Sequence, residues 1–277
     1  MKLFVYLYAV FSILQYRSVL CIDDDRTIRP YTIHINQSTL DDIQQRLQYA
    51  RYPRDMIDVV PWSLGTDINY LHELVDYWRI KYNWRQQESK MNELSQYTTL
   101  INGLQVHFVH MRSDTPDNAI PIIIPHGWPG TFLECRNIIP LLTTVYKQYN
   151  ITFNVVCPSL PGYVFSDESL HGGMTSDIMG DMFNELMLRL GYTQYIASGG
   201  DWGGVIVMSM AYRHSTNVKG LHTNFTPVLP PLTKSFSGFF STVLTNLFPS
   251  IFLTNEERSY QDHALAGLWH NTAYLRM

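Results

Sequence analysis

The tightest constraint on this chain is the heptapeptide Ser198-Gly199-Gly200-Asp201-Trp202-Gly203-Gly204. It stands between a short strand-like run at 195–198 and an apolar helical run at 204–212. Small residues two before and two after a central polar residue describe a sharp strand-to-helix turn. Backbone crowding in such a turn leaves no room for side chains at Gly199 and Gly203. The turn lifts its central side chain above the carboxyl ends of the strands. Here that side chain is Asp201. A carboxylate is ionised at neutral pH, so unlike a serine it needs no partner base to act as a nucleophile. The plain alternative is an Asp capping a helix after a Gly-rich turn.

A second motif, His126-Gly127-Trp128-Pro129-Gly130, follows the apolar run 122–124. In sheets that carry an elbow of this kind, the loop after that strand turns one backbone N–H toward the central residue. The residue after the nucleophile supplies another. The expected donors are the N–H groups of Trp128 and Trp202. Each such donor contributes about 3 kcal/mol to a developing oxyanion. His126, Gly127, Pro129 and Gly130 shape the turn. The similar-looking His171-Gly172-Gly173 follows the next strand, where this role is already taken, and reads as a loop.

The surroundings agree with an α/β sheet. Strand runs at 151–156, 195–198 and 218–225 alternate with helical runs at 177–190 and 204–212, the signature of a parallel sheet flanked by helices. Ahead of them, 104–110 alternates as a strand after an Asn102-Gly103 turn. Four segments result: 1–21 a leader, 30–95 a helical N-terminal region, 96–226 the sheet core, and 227–277 a helical segment. In the N-terminal region, Ser38 is expected to cap a helix carrying Asp41 and Asp42 in its first turn and ended by Pro53. A second helix is expected over 68–80.

Composition excludes several classes. The chain has 277 residues, 45% of them hydrophobic and only 20 Lys and Arg, with a net charge of -4; no basic cluster suits nucleic acid. No metal is expected, because no Cys/His cluster has ligand spacing, and His107 and His110 are expected on opposite faces of a strand. No cofactor motif is present. Of the three cysteines, Cys21 ends the leader, while Cys135 and Cys157 lie in apolar runs and are expected to be free, buried thiols. Lys2 and the apolar run 3–14 fit a signal peptide or retained membrane anchor, being shorter than the roughly 20 residues a spanning helix needs. Three Asn-x-Ser/Thr sequons, at Asn36, Asn150 and Asn224, permit a lumenal chain.

Taken together, several segments resemble one family: Trp62-Ser63-Leu64-Gly65-Thr66, Tyr77-Trp78, Asn83-Trp84-Arg85 with Glu88, Ile101-Asn102-Gly103-Leu104, His107-Phe108-Val109-His110, the His126–Gly130 motif, and Arg189-Leu190-Gly191-Tyr192 leading into the elbow. They are similar to the microsomal and juvenile-hormone epoxide hydrolases. The resemblance implies an α/β-hydrolase fold with a helical N-terminal region and the start of a helical cap. It implies a small apolar epoxide as substrate, no cofactor, and an endoplasmic reticulum (microsomal) membrane location, with secretion as the alternative. In that family the elbow Asp forms an ester with the epoxide. Cap tyrosines protonate the epoxide oxygen, and a His oriented by a carboxylate activates water. Asp201 matches the nucleophile, Trp128 and Trp202 the oxyanion positions, and Tyr274 a cap tyrosine, although Ala273 stands where the family usually has Gly.

The acid and base follow the nucleophile in this fold. His214, His222, His263 and His270, with Glu256, Glu257 and Asp262, are expected to be solvated or packed side chains instead. The last sheet strands, the second tyrosine, the base His and its carboxylate are therefore expected to be absent from this sequence, leaving 218–225 as an exposed edge. Two other readings stay open: a haloalkane dehalogenase-like hydrolase, and a catalytically inactive fragment that binds apolar ligands.

Overall fold

The structure, a computed structural model, describes residues 25–54, 60–63, 65–146, 148–225, 240, 244 and 247–259. The chain divides into two compact units, Met1–Phe225 and Thr226–Met277.

The first unit is built on a seven-stranded sheet. Its strands are β1 (Arg29–Tyr31), β2 (Gln96–Ile101), β3 (Leu104–Met111), β4 (Ile120–Ile123), β5 (Phe153–Pro158), β6 (Tyr195–Gly199) and β7 (Val218–Thr223). They lie in the order β1-β2-β3-β5-β4-β6-β7. The β1, β2, β3 and β5 neighbours run antiparallel, whereas β5, β4, β6 and β7 run parallel. From β4 the chain steps to β5 on one side and then to β6 on the other. That reversal opens a crevice at the carboxyl end of β4, where α/β sheets bind ligands.

Successive residues of the central strands are buried on opposite faces. Phe108, Ile123 and Val156 join the core beneath α5 (Ser176–Arg189) and α6 (Asp201–Arg213). Their neighbours Val109, Ile122, Val155 and Cys157 join a second core with Phe132, Cys135 and Ile139, the last from the short helix α4 (Ile139–Thr143). Both faces are dry, which is why these strands read as unbroken apolar runs. A fully buried aliphatic or aromatic side chain contributes about 2 kcal/mol.

The helical N-terminal region contains α1 (Gln37–Gln48), α2 (Ile68–Ile80) and α3 (Trp84–Met91). Asp67 caps α2 by accepting the Asn69 and Tyr70 N–H groups, and the helix covers the residues expected. The cap assigned to Ser38 is corrected: α1 starts two residues earlier than that cap implies, Asn36 is its N-cap without a side-chain cap bond, and Asp41 and Asp42 fall outside its first turn. Expectation also missed α3, a polar helix held from outside: Glu88 accepts the Ile35 N–H at 2.7 Å, the Trp84 indole N–H at 3.0 Å and the Arg85 guanidinium at 2.7 Å.

The free-thiol expectation is overturned: Cys135 and Cys157 form a disulfide, with Cα atoms 6.6 Å apart. Both sulfurs are buried as expected. The 3₁₀ turn Phe132–Cys135 folds back over β5, so residues 22 apart in sequence meet in the core.

In the second unit, Thr254 and Glu257 form a capping box. The Thr254 N–H and hydroxyl both donate to Glu257 Oε2 at 2.8 Å, and the Glu257 N–H returns to Thr254 Oγ1 at 3.2 Å. Among the described residues, no helix is long and apolar enough to cross a membrane.

Candidate active site

The elbow is a tight turn between β6 and α6. Gly200 is extended, and Asp201 then takes φ +50°, a left-handed conformation unusual for a side-chain-bearing residue. The glycines are required by contact. A Cβ on Gly199 would stand 2.5 Å from the Gly203 carbonyl, and one on Gly203 would stand 2.1 Å from the Pro125 carbonyl oxygen. Strand, helix and the loop after β4 are thus packed backbone to backbone, and Asp201 projects from their junction.

The loop after β4 closes on that carboxylate. The Trp128 N–H donates to Asp201 Oδ1 at 2.7 Å. Gly127 permits the approach, since a Cβ there would lie 2.6 Å from Asp201 Cβ. The Trp202 N–H, in the first turn of α6, has no hydrogen-bond partner among the described residues, and its indole is exposed like that of Trp128. Gly130 N–H closes the turn on the Gly127 carbonyl at 2.9 Å, across a cis Trp128–Pro129 bond.

His126 holds this turn from below. It is buried, and its Nε2 accepts the Leu160 N–H at 3.1 Å. That donor fixes the tautomer: Nδ1 carries the proton and donates to the Gly127 carbonyl at 2.8 Å. Burial lowers its pKa, so the ring is neutral near pH 7. His126 therefore links the loops after β4 and β5.

Gly127, Trp128, Pro129, Gly130, Gly200 and Asp201 line a cleft of about 460 Å³, together with Glu134, Asn224 and Phe225. Of these, Gly127, Trp128, Pro129, Gly130 and Asp201 were named from sequence, Gly200 only as part of the elbow motif, and Glu134, Asn224 and Phe225 were missed; His126, Gly199, Trp202 and Gly203, also named, are not among the lining residues. Asn224 and Phe225 follow β7, the strand beside the elbow, and Asn224 Oδ1 would be 2.5 Å from a Cβ on Gly200. Only the strand order reveals that proximity. A larger groove of about 740 Å³ lies among α1, α2 and α3, walled by Leu40, Ile43, Leu74, Tyr77, Trp78 and Trp84. It brings no nucleophile to face a donor, so the smaller cleft is the candidate site.

Other named residues lie elsewhere. His214 Nε2 meets Asp181 Oδ1 at 2.7 Å between α6 and α5, beside the Arg213–Asp181 ion pair. His222 Nδ1 meets Ser198 Oγ at 2.9 Å on the sheet. The described residues lining the cleft include no histidine. Tyr274, Asp262, His263 and His270 fall outside the described residues. His107 and His110 are sheet residues: His107 bonds Ser159 and Gln96, and His110 bonds Tyr192. No metal-binding cluster of His, Cys, Asp and Glu occurs among the described residues.

Comparison with known proteins bears on this geometry. Residues 28–135 match the epoxide hydrolase N terminus family, and residues 120–265 match the alpha/beta hydrolase fold family. Juvenile hormone epoxide hydrolase 2 of Ctenocephalides felis is 37% identical over 234 residues, covering 82% of this chain and 48% of the relative. Epoxide hydrolase 1 of Sus scrofa is 37% identical over 213 residues, covering 74% and 46%. The crystal structure of juvenile hormone epoxide hydrolase from the silkworm Bombyx mori superposes with a TM-score of 0.81 at 29% identity, covering 93% of this chain and 61% of that one. The chain spans about half the length of the curated relatives it matches.

Proposed function

Because the chain belongs to the α/β-hydrolase fold family, on its epoxide hydrolase branch, we propose that Asp201 opens the strained ring of a small apolar epoxide. With Oδ1 bonded to the Trp128 N–H, Oδ2 is the attacking atom. The new bond joins Oδ2 to a ring carbon. The carbon–oxygen bond of the ring breaks, and its electron pair goes to the departing oxygen, which takes a proton. We assign that proton to Tyr274 by resemblance. The product is an ester whose carbonyl oxygen is Oδ1. Water attacking that carbonyl places negative charge on Oδ1, and the N–H groups of Trp128 and Trp202 are the donors that receive it. A base that accepts the proton from water accelerates such a step by about 10²–10⁴-fold. The family uses a carboxylate-oriented histidine for it.

The observation that carries this reading is the Asp201 carboxylate at a left-handed elbow, held by a main-chain donor at 2.7 Å. By the same resemblance we place the chain at the endoplasmic reticulum membrane, with residues 1–21 as its targeting or anchoring segment.

The test is incubation of the full chain with styrene oxide and, in parallel, with a chloroalkane, followed by intact-mass and peptide analysis. We expect the mass of the whole epoxide on Asp201, or release of its diol, and loss of both in Asp201→Ala. An alkyl adduct from the chloroalkane alone would assign a dehalogenase. Absence of any product at Asp201 in either arm would leave the inactive, ligand-binding reading.

A further inference from the structure

One sequon coincides with a surface feature that the hydrolase reading leaves unused. Tyr146 and Tyr149 stack on each other with centroids 5.5 Å apart and planes at 22°, yet 56% and 63% of their surfaces remain exposed. The segment that carries them is a small irregular hairpin. Tyr146 N–H bonds the Ile151 carbonyl at 2.9 Å, and Tyr149 N–H turns back to the Tyr146 carbonyl at 3.1 Å. At the end of this turn Asn150 takes φ +49°, a conformation Asn tolerates better than most residues. Asn150 is exposed, and its carboxamide has no hydrogen-bond partner among the described residues. It begins the sequon Asn150-Ile151-Thr152, directly after the exposed ring of Tyr149.

The disulfide supplies an independent indication. Cys135 and Cys157 bracket this hairpin, and a buried bridge of this kind persists in an oxidising compartment. That is also where sequons meet their modifying enzyme.

We propose that Asn150 carries an N-linked oligosaccharide whose first sugar packs its C–H face on Tyr149. The donor is a polyprenyl-pyrophosphate-linked oligosaccharide. Asn150 Nδ2 bonds to C1 of the sugar and loses a proton. The bond from C1 to the phosphate oxygen breaks, and the lipid pyrophosphate leaves with its electron pair. Thr152 dates the transfer. Its hydroxyl is buried in the fold, within 2.7 Å of Ser113 Oγ, 2.9 Å of the Thr143 carbonyl and 3.2 Å of the Leu142 carbonyl. Modification therefore precedes closure of this segment. Asn224 is the contrasting case, because its side chain forms the wall of the Asp201 cleft, where a sugar would obstruct the nucleophile.

The experiment expresses the full chain through the secretory pathway of a eukaryotic cell. Peptide N-glycosidase in heavy-oxygen water then marks each glycosylated Asn as labelled Asp, and a non-reducing peptide map reports the Cys135–Cys157 bridge. We expect label at Asn150, its loss in Asn150→Gln, and the bridged peptide in the same sample. Unlabelled Asn150 overturns the proposal, whether the cysteines are bridged or free. The stacking is tested by a double-mutant cycle: the drop in Tm caused by Asn150→Gln should shrink by more than half when Tyr149 is already Ser. Equal drops in both backgrounds would overturn the contact with Tyr149.

Discussion

The main-chain N–H of Trp128 donates to Oδ1 of Asp201 at 2.7 Å, joining loops 73 residues apart. Because the donor is backbone, the side chain at 128 is dispensable for it, while the space at 127 is not. Gly127→Ala places a Cβ 2.8 Å from Oδ1, forcing the carboxylate off its donor. Its rate of adduct formation with an epoxide is expected to fall about 10²–10³-fold, as for loss of one oxyanion donor. Trp128→Ala keeps the N–H and should keep most of the rate. A reversed ranking in stopped-time mass spectrometry would contradict the role given to this bond.

Asp201 is held at φ +50°, and the left-handed region costs a residue with a Cβ about 1–2 kcal/mol. Asp201→Gly and Asp201→Ala both lose the carboxylate and its hydrogen bond, so comparing them isolates that strain. The Gly variant is expected to be more stable than the Ala variant by about 1 kcal/mol, read from denaturant midpoints. Equal stabilities would mean that the elbow is unstrained.

Gly203→Ala should destabilise by about 3 kcal/mol, an overpacking cost set against rigid backbone, since its Cβ would meet the Pro125 carbonyl oxygen at 2.1 Å. Gly172→Ala has open space around the added carbon and should change stability by less than about 0.5 kcal/mol. Thermal or chemical unfolding of the pair checks whether crowding at the elbow is real.

Acid should weaken the fold through its buried histidines. Burial holds His107 and His110 at about 4, with Arg112 adding to the effect at His110, against an ordinary 6.5. Below pH 6.5 the unfolded chain takes up protons that the folded chain refuses. Stability therefore falls between about pH 6.5 and 4, by up to about 1.4 kcal/mol per pH unit for each histidine. His126 is shifted in the same direction. Above pH 6.5 these groups add no slope. Urea midpoints measured on both sides of pH 6.5 test the sign, and a flat acid limb would refute it.

The elbow and the turn after β4 were legible because glycines at fixed offsets report backbone crowding directly. The two-sided strands were legible as apolar runs, and α2 as an apolar stripe; its Asp67 cap was not named from sequence. What escaped was decided by tertiary contact. β1 has three residues, one of them Pro30, and exists by pairing with β2. The sequence of α3, Trp84–Met91, has no apolar period, and the helix is anchored by Glu88 from a distance. The Cys135–Cys157 pairing depends on a fold-back between strands that spacing alone does not encode. Asn224 and Glu134 reach the cleft only because β7 lies beside β6 and the 3₁₀ turn follows the Trp128 loop.

A carboxylate pinned at one oxygen keeps a single direction of approach at the other. On the proposed reading, a chiral ring must meet that line with one of its carbons, and any preference between its mirror-image forms then comes from the walls beside it, Glu134, Asn224 and Phe225.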